Sequence, residues 1–390
     1  MSSLGIYIHW PWCKTICPYC DFNVRKFENI DILEWEKAYL KEIHNMSFLT
    51  KEKKVSSIYF GGGTPSLINP SLIEKIINCV SKKFSLSPNA EITIEANPSS
   101  IEFKDFYNFK QVGINRISLG VQSLNDNDLK FLGRDHNSDQ AKKSLKYAEK
   151  IFNKVNLDII YGLPEQKIKN FKNELNKILR YAVSIGHLSI YQLTIEPKTP
   201  FYKKFITGKL TLPPEETLNN MYYIIQEASE KNNLLQYEIS NHALPGNESI
   251  HNLGYWRYNE YLGVGPGAHS RVSYNSTRMS MVQINSPRNW LNSIHDKGNA
   301  IALKEVLTKN EAAMEVLITG LRLKEFLPSE RFDQYSVLKL NEIIKKSRIK
   351  ELIDEGFIEW KSSKIKTTYK GKSVLNSVLD RFDQIINSKH

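Results

Sequence analysis

Short apolar runs alternate with longer amphipathic stretches through the first half of the chain, and this alternation restricts the fold more than any other feature. The runs are rich in β-branched residues and cover residues 5–10, 55–60, 91–96, 116–121, 156–161 and 187–193. Helical patterns separate them at residues 30–48, 71–83, 103–110, 138–152 and 168–184. Strands that are apolar on both faces and alternate with helices are typical of a parallel sheet covered by helices. We therefore predict an α/β fold whose six strands fit either a doubly wound sheet or an incomplete barrel.

The residue composition and the predicted secondary structure change twice in the second half of the chain. A further helix is predicted at residues 214–231, opening after Leu-Pro-Pro, and the Gly-, Asn- and aromatic-rich residues 237–274 predict loops and short strands. Beyond residue 300, helices are predicted at residues 310–323, 338–346 and 348–355, then a hairpin at 357–360 and 364–368, and a last helix at 372–386. Helices followed by a small hairpin predict a winged-helix-like tail. We divide the chain into residues 1–235, a connecting region at 236–300 and a C-terminal domain at 301–390.

Residue composition and net charge restrict the classes of function that the chain can have. With 390 residues, 41% of them hydrophobic and 24% charged, the chain can bury a core without disulfides. Its 53 basic and 42 acidic residues give a net charge of +11, which suits nucleic acid or an anionic membrane. No dense basic run with interleaved aromatic residues occurs, so we expect no nucleic acid and leave peripheral membrane contact open. The chain has neither a signal-peptide pattern nor a run of about 18 apolar residues, and we expect a cytoplasmic protein.

Three of the four cysteines, Cys13, Cys17 and Cys20, lie within eight residues directly after the first predicted strand. Thiolates this close together can ligate one compact metal centre. A 4Fe-4S cluster held by three cysteines leaves one iron open for a ligand. The alternative is a zinc site completed by His9, although zinc ligands usually come as two separated pairs. Cys79 falls in a helical pattern and is expected in the core.

Polar side chains and glycines stand at the ends of the later predicted strands. Consecutive glycines before Thr64 would let backbone N–H groups approach a ligand closely. Because the carboxyl ends of parallel strands meet at one edge, this layout is that of a barrel active site. Asn97 and Ser123 also suit helix caps, and Arg134 could neutralise a carboxylate nearby. The other candidates are Gly62, Gly63, Glu95, Gln122 and Asp158.

The spacing C-x3-C-x2-C after a first strand resembles the radical S-adenosylmethionine superfamily. The resemblance implies that S-adenosylmethionine chelates the open iron, that Tyr19 packs near its adenine, and that the glycine stretch receives its amino end. Further phrases, including Tyr7-Ile-His9-Trp-Pro-Trp and Asp158-Ile-Ile-Tyr-Gly-Leu-Pro, resemble the branch that contains oxygen-independent coproporphyrinogen III oxidase and the HemW-type haem chaperones. This similarity runs from about residue 4 to 385. It implies a partial (β/α)6 barrel with a C-terminal winged-helix-like domain, and S-adenosylmethionine sites lined by Tyr7, Gly62, Gly63, Thr64, Glu95, Gln122, Arg134 and Asp158.

Two features separate the two members of this branch. The oxidase has a further cysteine two residues after the third one, where this chain has Phe22. The oxidase also has a longer N-terminal arm before its cysteines than this chain has. The segment His251-Asn252-Leu-Gly-Tyr255 matches the H-N-x-x-Y pattern of the haem chaperones, and imidazole and tyrosine are haem ligands. The alternative is that His251 only forms hydrogen bonds within a loop.

A Gly-x-Gly-x-Gly segment follows this pattern and also matches the branch. Gly263, Gly265 and Gly267 imply close backbone approach to a cofactor or haem, although a tight turn would account for them equally. The resemblance as a whole implies a protein that binds haem and delivers it to an acceptor protein. The alternative is an enzyme that oxidises the propionate side chains of coproporphyrinogen. A homodimer is also compatible, because a cluster can be coupled to subunit association.

Overall fold

The structure is a computed structural model that describes residues 3–27, 30–50, 53–99, 103–274 and 277–387. Its strands are β1 (Ser3–Trp10), β2 (Trp12–Cys13), β3 (Arg25–Lys26), β4 (Lys54–Gly62), β5 (Ser85–Ala96), β6 (Arg116–Gln122), β7 (Lys154–Tyr161), β8 (His187–Gln192), β9 (Leu235–Glu238), β10 (Asn241–Ala243), β11 (Glu260–Val264), β12 (His269–Tyr274), β13 (Thr277–Gln283), β14 (Ile301–Val306), β15 (Leu327–Pro328), β16 (Ile358–Lys361) and β17 (Lys364–Thr367). Its helices are α1 (Ile32–Met46), α2 (Pro70–Lys83), α3 (Phe103–Gln111), α4 (Asp126–Phe131), α5 (Ser138–Ile151), α6 (Ile168–Ile185), α7 (Pro200–Ile206), α8 (Glu215–Lys231), α9 (Ile250–Trp256), α10 (Pro287–Lys297), α11 (Lys309–Gly320), α12 (Ser329–Asp333), α13 (Leu340–Ile343), α14 (Ser347–Asp354), α15 (Tyr369–Ser373) and α16 (Leu375–Ile386).

One large sheet organises the molecule. Its strand order is β14-β13-β12-β11-β1-β4-β5-β6-β7-β8-β10-β9. Neighbouring strands from β11 to β8 run parallel, whereas the outer strands pair antiparallel at both edges. The six apolar runs predicted as strands are β1 and β4 to β8, and helices lie between them in the chain. The predicted α/β class with a parallel sheet is confirmed.

Strand β6 illustrates how the two faces of the sheet differ. Ile117 and Leu119 are fully buried in the large hydrophobic core. Arg116, Ser118 and Gln122, on the opposite face, line an internal cavity. Since successive side chains of a strand point to opposite faces, one face packs under the helices and the other holds polar groups.

Helix α1 anchors the end of β1, where the cysteine segment begins. Asp31 caps the helix by accepting two backbone N–H groups of its first turn. Trp35 then packs against Trp10 and Trp290, with ring centroids 5.8 and 5.4 Å apart. Aromatic packing of this kind stabilises more than area burial alone. The start of the cysteine segment is thereby fixed against the core.

The connecting region, residues 236–300, adds strands to both edges of the large sheet. It also contains α9, a helix absent from the prediction of loops and short strands. Ser249 caps α9, its hydroxyl accepting a hydrogen bond from the Asn252 N–H. The division of the chain at residues 235 and 300 remains a proposal. Strands from both sides of residue 235 belong to the same large sheet, so this boundary separates regions of sequence and not separate structural units.

The C-terminal residues form a second hydrophobic core around Leu317, Phe332 and Phe382. Helices surround a three-stranded sheet, β15-β17-β16, as the winged-helix-like prediction requires. Two predicted helices differ in length, because residues 338–346 form only α13 and residues 372–386 are interrupted at Val374. Val374 has non-helical angles (φ −127°, ψ 33°). Its β-branched side chain and the preceding Gly371 have weak helix propensity.

No helix of the described residues is long and apolar enough to cross a membrane.

Candidate functional site

A cavity of about 650 Å³ extends along the inner face of the parallel sheet, from the cysteine segment to α9. Its volume is in the range of small-molecule sites. The predicted residues of the cysteine segment, the strand ends and the H-N-x-x-Y pattern line it: Tyr7, Cys13, Cys17, Tyr19, Cys20, Gly62, Gly63, Thr64, Glu95, Gln122, Arg134, Asp158, His251, Asn252 and Tyr255. The structure thus brings these side chains together, and their individual roles remain proposals.

The three cysteines follow one another around the segment after β1. Cys13 ends β2, and the Cys20 N–H donates to the carbonyl oxygen of Cys17 at 3.1 Å. Burial raises the pKa of Cys13 and raises the pKa of Cys20 to about 11. Such thiols keep their protons at neutral pH unless a bound cation lowers the pKa. Three thiols on one segment are the donor set of an iron–sulfur cluster, so the residues fit that group.

The zinc alternative fits less well. His9 has both ring nitrogens engaged, with Nδ1 3.0 Å from the Tyr7 hydroxyl and Nε2 2.9 Å from the carbonyl oxygen of Asn23. Within the described ranges, no three His, Cys, Asp or Glu side chains are arranged to hold a single metal ion. His9 would therefore have to give up one of these hydrogen bonds to complete a zinc site.

Gly62 and Gly63 bring β4 against the cysteine segment. Gly62 has a φ of 110°, and a Cβ there would lie 2.7 Å from the His9 ring. A Cβ on Gly63 would lie 3.0 Å from the Cys13 sulfur. Their N–H groups, expected to face a ligand, donate instead to Glu95 and to a backbone carbonyl of β1. The glycines thus allow two protein segments to approach closely.

Three further predicted residues contribute hydroxyl groups to the cavity wall. Burial raises the pKa of the Cys13 thiol, and the hydrogen bond with the Thr64 hydroxyl offsets part of this rise. The Tyr19 ring packs against Phe201, with centroids 6.4 Å apart. Tyr7 lies further inside, and burial raises its pKa well above the usual value. The hydroxyl groups of Thr64, Tyr19 and Tyr7 are therefore neutral polar groups on the cavity wall.

Glu95 and Asp158 place two buried carboxyl groups in the cavity. Glu95 accepts a hydrogen bond of 2.8 Å from the Tyr59 hydroxyl, and burial raises its pKa to about 7. Asp158 accepts hydrogen bonds from Ser118 at 2.9 Å and from Asn156 at 2.8 Å. Burial also raises the pKa of Asp158, while these hydrogen bonds lower it. Each carboxyl group is thus held in a defined orientation.

Arg134 lies beside a cysteine, where the sequence suggested a carboxylate. Its Nη2 donates to the carbonyl oxygen of Gly120 at 2.8 Å, and its Nη1 lies 3.4 Å from the Cys17 sulfur. Burial raises the pKa of Asp158, and the charge of the Arg134 guanidinium offsets part of this rise. Gln122, at the end of the same strand as Gly120, has a φ of 71°. A non-glycine residue in this region stores backbone strain, which often accompanies a functional site.

Helix α9 closes the opposite end of the cavity. Its i, i+4 spacing puts His251 and Tyr255 on one face, and the His251 Nε2 lies 3.0 Å from the Tyr255 hydroxyl. The His251 Nδ1 lies 2.8 Å from the Ser57 hydroxyl, and its ring stacks on Tyr59 at 4.9 Å. His251 is 4% exposed, and burial lowers its pKa to about 3. The imidazole is neutral and hydrogen-bonded, within a helix instead of the loop expected.

Several polar residues between these two ends were missed in the sequence. The Asn252 amide donates to the Tyr237 hydroxyl at 3.1 Å, and that hydroxyl lies 3.0 Å from the His187 Nε2. The His187 Nδ1 lies 2.6 Å from the Asn156 Oδ1. Asn156 stands two positions before Asp158 on β7, which is the period that puts both on one face. This inward polar alternation was the signal that could have identified them.

The glycines after β11 pack against the protein itself. A Cβ on Gly263 would lie 2.2 Å from the carbonyl oxygen of His269. A Cβ on Gly265 would meet a carbonyl of β1 at 2.5 Å, and one on Gly267 would meet Asn23 at 2.5 Å. Gly265 and Gly267 also have φ values of 102° and 75°. The tight-turn alternative therefore accounts for this segment.

Known proteins share both parts of this architecture. Residues 7–178 match the radical SAM superfamily, and residues 307–374 match the HemN C-terminal domain. The chain is 36% identical to the heme chaperone HemW of Buchnera aphidicola subsp. Schizaphis graminum (strain Sg), over 98% of this chain and 99% of that protein. It is 32% identical to the heme chaperone HemW of Escherichia coli (strain K12), over 98% of each chain. The chain belongs to the HemW family of radical S-adenosylmethionine proteins.

This HemW-family chain is also similar to a eukaryotic protein and to a protein of solved structure. The mitochondrial radical S-adenosyl methionine domain-containing protein 1 of Danio rerio is 34% identical, over 96% of this chain and 86% of that protein. The structure of coproporphyrinogen III oxidase (HemN) from Escherichia coli superposes with a TM-score of 0.81 at 22% identity, over 98% of this chain and 91% of that one. The predicted partial barrel with its C-terminal domain is thereby confirmed as the fold.

Proposed function

We propose that this HemW-family protein binds haem and delivers it to an acceptor protein, while carrying a 4Fe-4S cluster with S-adenosylmethionine at the open iron. One observation carries the proposal. A single cavity is lined at one end by three cysteines and at the other by the residues of the H-N-x-x-Y pattern. A site for cluster chemistry and a site for haem would therefore share one internal space.

The cluster would be held by the thiolates of Cys13, Cys17 and Cys20. Arg134, beside Cys17, would offset part of their negative charge. When bound, the cluster and S-adenosylmethionine supply an electron donor and a sulfonium group that can accept the electron. S-adenosylmethionine would be bound by Tyr7, Tyr19, Gly62, Gly63, Thr64, Glu95, Gln122, Arg134 and Asp158.

Haem would be held towards α9, by His251, Asn252 and Tyr255. Imidazole nitrogen and tyrosine oxygen both ligate haem iron in proteins, and the neutral state of His251 at pH 7 suits a ligand. Because the Tyr255 hydroxyl bonds the His251 Nε2, ligation by that nitrogen would require the hydroxyl to turn away. The two residues would then act as one unit.

Phe22 favours a carrier over an oxidase. It occupies the position of the oxidase's further cysteine, and it lines the mouth of the cavity with 62% of its surface exposed. Ile16, also exposed, lies on the same rim. Such apolar exposure suits contact with an acceptor protein. Oxidation of coproporphyrinogen remains the second candidate function, because the oxidase shares this fold.

We propose a cytoplasmic protein whose acceptor is a haem-requiring protein, such as a respiratory enzyme at the membrane. The net charge of +11 would favour peripheral contact with anionic lipid. A homodimer coupled to the cluster is part of the same hypothesis.

Haem titration of anaerobically reconstituted protein tests the proposal. We expect about one haem per chain, at least about tenfold weaker binding in His251→Ala because an iron ligand or its partner is lost, and unchanged binding in the exposed control His295→Ala. Tyr255→Phe keeps the ring and serves as a second variant. Absence of haem binding in the wild type, or wild-type affinity in both His251→Ala and Tyr255→Phe, would contradict the proposed role.

A further inference from the structure

A continuous series of hydrogen-bonded side chains joins α9 to Asp158. From α9, the amide of Asn252 bonds the Tyr237 hydroxyl at 3.1 Å. Tyr237 lies 3.0 Å from the His187 Nε2, and the His187 Nδ1 lies 2.6 Å from the Asn156 Oδ1. The Asn156 Nδ2 then donates to an oxygen of Asp158 at 2.8 Å. We call Asn252, Tyr237, His187 and Asn156 the relay.

The interior of the relay is buried in the wall of the cavity. Tyr237, His187 and Asn156 are 8%, 2% and 5% exposed. Buried polar groups of this kind depend on protein partners, because an unmade hydrogen bond there costs about 1–3 kcal/mol. Each relay member therefore constrains the next one.

The hydrogen bonds of the relay all point in one direction. The Asn252 Nδ2 can only donate, so the Tyr237 oxygen accepts a hydrogen bond from it. The Tyr237 hydroxyl then donates its own hydrogen bond to the His187 Nε2. Burial lowers the pKa of His187 well below its usual value, so the ring is neutral. A neutral imidazole that accepts at Nε2 carries its proton on Nδ1, which donates to the Asn156 Oδ1. The Asn156 amide is thereby oriented with its N–H towards Asp158.

A second contact connects the same two regions. The His251 ring stacks on Tyr59, and the Tyr59 hydroxyl donates to Glu95 at 2.8 Å. Both buried carboxyl groups of the cavity are thus connected to α9 through side chains that no motif singled out.

We propose that Tyr237, His187 and Asn156 are positioning residues that orient the Asp158 carboxylate and couple the S-adenosylmethionine end of the cavity to the haem end. The inference rests on the proposed function for the identity of the two ligands. Binding at one end then changes the affinity at the other end by the same factor in both directions.

The experiment measures S-adenosylmethionine binding to reconstituted full-length protein by equilibrium dialysis, with and without haem. Tyr237→Phe removes the relay hydroxyl and leaves the ring in place. Tyr222→Phe is the matched control, because Tyr222 is equally buried (8% exposed) and its hydroxyl accepts a side-chain hydrogen bond from Gln236 at 3.1 Å. His187→Leu removes the polar ring, and His187→Gln restores a donor and an acceptor. Iron and sulfide content verifies equal cluster loading.

We expect Tyr237→Phe and His187→Leu to weaken S-adenosylmethionine binding about fivefold or more, the lower end of typical coupling. His187→Gln should recover most of the affinity, and Tyr222→Phe should match the wild type. Haem should change the affinity of the wild type and of Tyr222→Phe by the same factor, and this factor should fall towards one in Tyr237→Phe.

Wild-type affinity in both Tyr237→Phe and His187→Leu would overturn the positioning role. Weaker binding with an unchanged haem effect would overturn the coupling. These results differ from failure of the proposed function, in which the wild type itself binds no haem while the S-adenosylmethionine measurements still decide the role of the relay.

Discussion

Burial determines the protonation of individual side chains in the cavity. It raises the pKa of the Cys13 and Cys20 thiols, and it lowers the pKa of His251 to about 3. Without a bound metal the thiols are protonated, so cluster assembly must release protons. The imidazole, in contrast, stays neutral across the physiological range. The two ends of the cavity therefore respond to pH in different ways.

Replacing one cysteine should abolish the cluster. We expect Cys17→Ala to lose essentially all iron and sulfide after anaerobic reconstitution, because two thiolates leave the cluster without a third protein ligand. Cys79, half-buried between helices, contacts a backbone carbonyl of α1, and Cys79→Ala is the matched control. Iron content and visible absorbance measure the result. A Cys17→Ala protein with the iron content of the wild type would refute the assignment of the cluster.

Glycine at position 62 is required for two separate reasons. Gly62 has a φ of 110° and no space for a Cβ, whereas Gly246 has a φ of 88° and open space around it. We expect Gly246→Ala to lower the free energy of unfolding by about 1 kcal/mol, through backbone strain alone. Gly62→Ala should lower it by about 3 kcal/mol or more, because a clash with the His9 ring is added. Urea unfolding compares them, and equal losses would show that His9 moves aside freely.

At the level of elements, the apolar runs predicted the strands whose side chains pack into the large hydrophobic core. Strands β1 and β4 to β8 were predicted from short runs that we expected to be apolar on both faces. In the structure one face of β6 instead presents Arg116, Ser118 and Gln122 to the cavity. Helix α9 was missed because a seven-residue helix is stabilised by its contacts more than by its own sequence. The relay residues His187 and Asn156 lie inside apolar runs without a motif of their own, and only the period of two on a strand, which puts Asn156 on the face of Asp158, indicates them.

Glu42 joins α1 to α10 and should make stability depend on pH. It is fully buried, accepts from the Gly265 N–H at 2.8 Å and the Trp290 Nε1 at 3.2 Å, and burial raises its pKa to about 8. The folded protein keeps this proton up to about pH 8, whereas the unfolded chain releases it near pH 4.5. Its contribution to stability is therefore full below pH 4.5 and is lost as the pH rises towards 8, by about 1.4 kcal/mol per pH unit.

Glu42→Gln removes this titration. The unfolding free energy of the variant relative to the wild type should therefore increase between pH 5 and 8, as measured by urea unfolding at several pH values. Glu34→Gln, an exposed change on the same helix, should show no such trend. A difference between Glu42→Gln and the wild type that does not change with pH would contradict the buried, protonated state of Glu42.

At the scale of the whole molecule, the C-terminal unit holds the end of α9. Arg257 makes two hydrogen bonds with Glu325, at 2.9 and 2.6 Å. Arg322 lies over the Trp256 ring at 4.4 Å and bonds the buried Glu238 at 3.2 Å. The two hydrophobic cores are thus connected beside the helix that closes the cavity.

Arg322→Met should therefore affect both stability and haem binding. Removing the guanidinium leaves Glu238, 1% exposed, short of a charged partner, at a cost of about 3 kcal/mol in unfolding free energy. Scanning calorimetry should show a lower transition temperature, and haem affinity should fall while cluster content stays at the wild-type level. Arg180→Met, on the exposed face of α6, is the control. Loss of the cluster together with haem would contradict a local effect on α9.

We propose that the cavity carries haem and does not turn over a porphyrinogen. The direct measurement is one anaerobically reconstituted sample, assayed for coproporphyrinogen decarboxylation with S-adenosylmethionine and a reductant, and then titrated with haem. We expect about one haem bound per chain and no decarboxylation. Robust decarboxylation without haem binding would contradict it, and would show that Phe22 does not distinguish carriers from oxidases.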